Sequence, residues 1–239
     1  MGISLYLAMT AAEISACDSQ PDKLAYMACH FSPYSTGISN IPDTLPPDSI
    51  LILNDRTPIC GHDPKLIACQ LSEAVERLQC SSLLLDFQRP DSKEAAVLSK
   101  YLTERLTCPV TVSALYANEL NCPVLVPPCP LDQKLEDHLF PWRDRPVWLE
   151  IAANALVITV DKNKSQYTSS SASPELELPH TEPELLCHYR IETTDSAAVF
   201  TLSRTDADTE ALIKKAETLG VCQCLGLWQE LITKKLPVE

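Results

Sequence analysis

Glycine is scarce in this chain, at 5 of 239 residues. No glycine-rich first turn of the kind that cradles a dinucleotide phosphate is present, which counts against an open doubly wound sheet. Positive charge is also short. Lys and Arg number 19 against 32 Asp and Glu, a formal net charge of -13. An acidic surface repels phosphate backbones and anionic lipid, and no basic stripe interrupts it. Neither nucleic acid nor a membrane surface is therefore an expected partner. Solubility alone accounts for such acidity. The apolar run from Ile151 to Val160 is closed off by Glu150 and Asp161, well below the ~20 residues that span a bilayer. Neither His-x-His nor His-Glu-x-x-His occurs, so no metal and no cofactor is expected.

Cysteine is plentiful, but Cys-x-x-Cys never occurs among the 11. The count is odd, and Cys69, Cys108 and Cys222 sit inside apolar runs. That pattern reads as reduced thiols in a reducing compartment, hence a cytoplasmic protein. One feature points elsewhere. Ile14-Ser15-Ala16-Cys17 resembles a bacterial lipoprotein cleavage box, which would anchor the chain at Cys17. No Lys or Arg precedes the apolar stretch, however, and Glu13 interrupts it. Ile3–Met9 is read instead as a first core strand.

Further strands are expected at Leu24–Cys29, Ser49–Leu53, Leu83–Asp86, Val110–Leu115 and Val124–Val126, and later at Ala198–Leu202 and Val221–Trp228. Ser49-Ile-Leu-Ile-Leu53 is a short continuous apolar run, as in strands buried on both faces. Asp63 and Pro64 open a helix with an apolar stripe through Leu66, Cys69, Leu71, Val75 and Leu78. A second helix runs from about Ser92 to Leu106. A third runs from Asp206 to Leu219, stopped by Gly220. Pro146–Ile151 and Leu156–Val160 flank Ala152–Ala155 and read as a β-hairpin, an excursion over 146–168. The segment 165–184 is rich in Ser, Pro and Glu and reads as a flexible loop.

Without the hairpin this makes about eight strands, the number that closes a β/α barrel. The expected fold class is α/β: a (β/α)8 TIM-type barrel, degenerate, with some helices missing. The whole chain, 1–239, fits one such domain of ~200–250 residues.

In a barrel the C-terminal strand ends converge on one pocket. Polar and aromatic residues gather at those positions: His30 and Ser32, Asn54, Asp55 and Arg56, Asp86, Gln88 and Arg89, Tyr116 and Asn118, Ser203 and Arg204, and Trp228, Gln229 and Glu230. Earlier strand positions are aliphatic. Each residue also has a structural reading. Asn54 and Asp55 would close a turn, Asp86 would pair with Arg56 or Arg89, and Trp228 would pack in the core. Ligand use is argued from their joint occurrence.

Cys80-Ser-Ser-Leu-Leu-Leu-Asp86-Phe-Gln88-Arg-Pro90 resembles the fourth-strand motif of the chitinase-like family 18 glycoside hydrolases, Asp-Gly-x-Asp-x-Asp-x-Glu-Tyr-Pro. Leu225-Gly-Leu-Trp228-Gln-Glu230 is similar to the family's tryptophan-bearing last strand. The resemblance covers mainly residues 49–110 and 198–231. It implies a barrel that takes carbohydrate at its strand ends. Family members cleave with a glutamic acid that protonates the leaving oxygen, while an Asp orients the substrate's acetamido group. Asp86 matches the orienting Asp. Gln88 stands where the acid would be, and Ser81 and Leu84 replace the upstream acids. An amide has no proton to give at neutral pH, and losing a general acid lowers rates ~10²–10⁴-fold.

Three functions stay open on the sequence. The first is a non-catalytic barrel binding a carbohydrate or other small polar ligand through Asn54, Arg56, Asp86, Gln88, Tyr116, Arg204 and Trp228. The second is an active glycoside hydrolase using Asp55, Asp86 or Glu230 as its carboxylate pair. The third is a scaffolding protein with a vestigial pocket.

Overall fold

The computed structural model describes residues 2–17, 19–161, 165–171, 177–194 and 196–232. Its elements begin β1 (Ser4–Met9), α1 (Ala11–Ala16), β2 (Leu24–Phe31), β3 (Ile38–Ser39), β4 (Ile50–Asn54), α2 (Pro64–Leu78) and β5 (Ser82–Asp86). Then come α3 (Lys93–Arg105), β6 (Val110–Ser113), β7 (Val124–Val126), α4 (Leu135–Leu139) with a 3-10 turn at Phe140–Trp142, and β8 (Val147–Ile151). The rest are β9 (Asn154–Asp161), β10 (Ser165–Ser171), β11 (His180–Glu182), β12 (Cys187–Thr193), β13 (Ala197–Ser203), α5 (Asp206–Thr218), β14 (Val221–Leu227) and α6 (Trp228–Leu231).

Eight parallel strands close on themselves in the order β1, β2, β4, β5, β6, β7, β8, β14, with β14 returning to β1. This is a TIM-type barrel with helices missing. The central strands are apolar on both faces because both faces are covered. Ile50, Ile52 and Leu84 join Tyr6, Leu125 and Trp148 in a core inside the barrel. Leu51, Leu53, Leu83 and Leu85 point outward into a second core shared with Ile67 and Leu71 of α2 and Leu98 and Leu102 of α3. Each such fully buried leucine contributes roughly 1.5–3 kcal/mol.

The helices start and stop where side chains satisfy their ends. The Asp63 carboxylate accepts from the Lys65 N–H, Pro64 opens α2, and Gln79 closes it at φ 52. Ser92 caps α3 through the Ala95 N–H. Thr205 and Asp208 form a reciprocal cap on α5. No helix joins β6 to β7. There the Arg145 guanidinium donates to the carbonyls of Ala117, Leu120 and Cys122 and pins the connection against the barrel.

Several sequence expectations need correction. Val147–Ile151 is a barrel strand, not a hairpin arm. It pairs in parallel with β7 and with β14 and makes no ladder with β9. Its continuous apolar run serves two buried faces, which alternation alone cannot tell from a hairpin. Ala198–Leu202, expected in the barrel, lies instead within β13 of a five-stranded antiparallel sheet ordered β10, β9, β13, β12, β11. The excursion is therefore this sheet, inserted between β8 and α5. The hairpin that does form joins β9 to β10, and its turn, 162–164, lies outside the described residues. The segment 165–184, expected to be a loop, supplies the edge strands β10 and β11. Of that segment, 172–176 lies outside the described residues.

Arg204 ties the sheet to the barrel. Its guanidinium donates to the carbonyls of Leu185 and Leu186 on one side and of Cys129 and Pro130 on the other. His188 on β12 adds a 2.7 Å bond to the Asp208 carboxylate. No described helix is long and apolar enough to cross a membrane.

Candidate functional site

Strand alternation aims the last inward residue of each barrel strand at the mouth. On β4 Asn54 follows Ile50 and Ile52; on β5 Asp86 follows Leu84; on β8 Glu150 follows Trp148. Two lobes of open space lie there. One, about 460 Å³, is lined by Thr10, Met27, His30, Asn54, Arg56 and Asp86, among others. The other, about 430 Å³, is lined by Ser113, Leu125, Pro127 and Glu150, among others. Gln88 borders both.

Gln88 is exposed, and its amide donates to the Asp86 carboxylate at 2.5 Å. Burial raises the pKa of Asp86, the Gln88 hydrogen bond lowers it in part, and the charge of Asp55 raises it again. Glu150 sits across the barrel on β8. Burial, then the charges of Asp86 and Glu230, push its carboxyl up to about 7. It is therefore close to half protonated at neutral pH.

Asp55 is only 4% exposed. Its two oxygens accept the N–H groups of Gln88, at 3.0 Å, and Arg89, at 2.9 Å. Arg89 returns a bond to the Asp55 carbonyl and another to that of Arg56. Asp55 thus holds the loop that presents Gln88, and its oxygens are occupied. Tyr116 supports the same loop from beneath. Its hydroxyl donates to the Arg89 carbonyl and accepts from the Ser92 N–H, and its ring meets Phe87 edge-on.

Of the residues singled out from sequence, the structure gathers Asn54, Asp55, Arg56, Asp86 and Gln88 around one cavity. Asn54 is fixed by bonds to the Met27 carbonyl and the Arg56 N–H. Tyr116 is spent on the loop. Arg204 is spent on the four carbonyls described above and borders a different cavity. Trp228 opens α6, half-buried, and lines neither lobe. Glu230 accepts from the Ala153 N–H at 3.2 Å and acts on Glu150. Glu150 itself was missed by sequence reasoning. Its signal in the sequence is a lone acid two positions beyond Trp148, which a hairpin arm at Pro146–Ile151 would place outside the barrel.

Among the described residues, no group of three His, Cys, Asp or Glu side chains is placed to hold a metal ion. All 11 cysteines are free. Burial pushes the thiols of Cys29 and Cys224 up to about 12 and those of Cys80 and Cys187 up to about 11, so none of these four is a ready nucleophile.

No family model matches the chain, and no curated protein matches it in sequence. Solved structures do match its fold. The chitinase-like agglutinin RobpsCRA from Robinia pseudoacacia superposes with a TM-score of 0.61 at 11% identity, covering 92% of this chain and 93% of that one. A glycoside hydrolase family 18 N-acetylglucosaminidase from Paenibacillus barengoltzii gives 0.58 at 8% identity, covering 97% and 98%. A mutant family 18 chitinase from Cycas revoluta, solved in complex with (GlcNAc)4, gives 0.56 at 10% identity, covering 93% and 94%. The chain is thus structurally similar to family 18 chitinases and chitinase-like proteins, a set that includes hydrolases and an agglutinin. At these identities the likeness concerns the fold.

Proposed function

We propose that the barrel mouth binds an oligosaccharide of N-acetylated amino sugars and does not cleave it by the family's substrate-assisted route. The observation that carries this reading is the Gln88–Asp86 pair at the end of β5. An amide fills the place where a proton donor is needed, and it gives its hydrogen to the carboxylate that would orient an acetamido group. Asp86 and Gln88 together still offer an acceptor and donors to a polar ligand. The agglutinin among the similar folds supports binding as a function of such a barrel, and the (GlcNAc)4 complex supports this ligand class.

Calorimetric titration of the protein with the N-acetylglucosamine tetramer tests the proposal, with the products run on a carbohydrate column. The expected result is saturable binding with the tetramer recovered intact, and binding lost in Asp86→Ala. Shorter sugars in the wild-type reaction would refute the non-cleaving part. Undiminished binding by Asp86→Ala would remove the mouth as the site.

A further inference from the structure

Glu150 plays no part in the reading above, yet it shares a lobe of the mouth with Gln88, Ser113 and Leu125. It rises from β8, three strands round the barrel from Asp86 on β5. Among the described residues, no hydrogen bond and no Lys, Arg or His acts on its carboxyl. β5 presents Asp86, and α6 presents Glu230. β6 presents Ser113, whose hydroxyl proton is given to the Phe87 carbonyl at 2.8 Å. β7 and β14 contribute Leu125 and Leu225 to the apolar core beneath it, and β14 carries Gln223 one inward position below Leu225. A half-buried acid without a partner beside an open lobe loses hydration and receives nothing in return, unless a ligand supplies it.

We infer that Glu150 is a ligand-binding residue of this mouth, its carboxyl hydrogen-bonding an oxygen of the oligosaccharide that Asp86 and Gln88 hold from β5. The inference rests on the sugar-binding reading. Two carboxylates facing one ligand cannot both be ionised at low cost, so Glu150 serves as donor and Asp86 as acceptor. The carboxyl titrating near 7 is consistent with this division. Two consequences follow. Binding takes up the proton that Glu150 releases in alkaline solution, so affinity falls as pH rises through 7. Sugars bearing carboxylate or sulfate are rejected, since they would set a second negative charge against that of Asp86.

The test is titration with the N-acetylglucosamine tetramer at pH 5.5 and pH 8.5, on the wild type and on Glu150→Gln. If only the protonated form binds, the wild type weakens about 30-fold between the two pH values. Gln keeps a donor at every pH, so Glu150→Gln should bind equally at both and within a few-fold of wild type at pH 5.5. Glu150→Leu, which keeps the bulk without a donor, should bind poorly at both. Equal wild-type affinity at the two pH values would overturn the role of Glu150 while leaving the sugar reading in place. So would a Glu150→Gln profile that falls in parallel with wild type. Failure of the wild type to bind at either pH would overturn the sugar reading, and this inference with it.

Discussion

Replacing Glu150 by Gln removes an ionisable group whose burial the fold resists. The unfolded carboxyl titrates near 4.5 and the folded one near 7. Between those values the folded chain keeps a proton that the unfolded chain has released, so stability falls as pH rises through this window. Above it the ionised group destabilises the fold by about 3 kcal/mol at most, at ~1.4 kcal/mol for each tenfold in proton affinity. Residual solvent exposure trims that figure. Gln is neutral throughout, so the advantage of Glu150→Gln over wild type should widen by about 2 kcal/mol from pH 5.5 to pH 8.5. For a chain of this length that is a gain of roughly 4–8 °C in Tm difference. Urea or thermal unfolding of both proteins at the two pH values reads the effect directly. A stability difference that does not change with pH would refute the reasoning, because it would mean Glu150 ionises in the mouth as it does in water.

Three further outcomes are expected. Asp55→Ala strands two backbone N–H groups under the Gln88 loop, and urea unfolding should show a loss of about 2–5 kcal/mol together with lost sugar binding. Arg204→Ala cuts the antiparallel sheet from the carbonyls of Cys129 and Pro130, so limited proteolysis should reach the sheet sooner while sugar affinity stays unchanged. Gln88→Glu places a proton donor beside Asp86, and reducing-end release from the tetramer at pH 5 should rise above the wild-type background; parity with wild type would mean that a carboxyl at 88 does not restore cleavage while Ser81 and Leu84 stand in place of the upstream acids.

The sequence was most legible where local chemistry and the fold agree. Asp63-Pro64 and Ser92 mark helix starts by the bonds their side chains make, and Ile50–Leu53 and Leu83–Leu85 announce strands covered on both faces. From these the barrel follows, and with it the placing of Asn54, Asp86 and Gln88 at one mouth. Pairing partners are another matter. Val147–Ile151 and Asn154–Asp161 are neighbours in the chain, and a hairpin is the nearest solution. Yet β8 lies between β7 and residues 221–227, some seventy positions on, a choice set by barrel closure and not by local pattern. That error hid Glu150. A similar limit applies to Tyr116 and Arg204. Their positions at strand ends were readable, but the carbonyls that consume their donors belong to loops distant in sequence. Asp55 was legible as a mouth residue, and only geometry shows both of its oxygens occupied.

The most direct test of the account is a crystal structure of the wild-type protein grown with the N-acetylglucosamine tetramer. The account predicts an intact sugar across the mouth, within hydrogen-bonding distance of Asp86, Gln88 and Glu150. A sugar seated elsewhere, or a mouth holding only cleaved product, would contradict it.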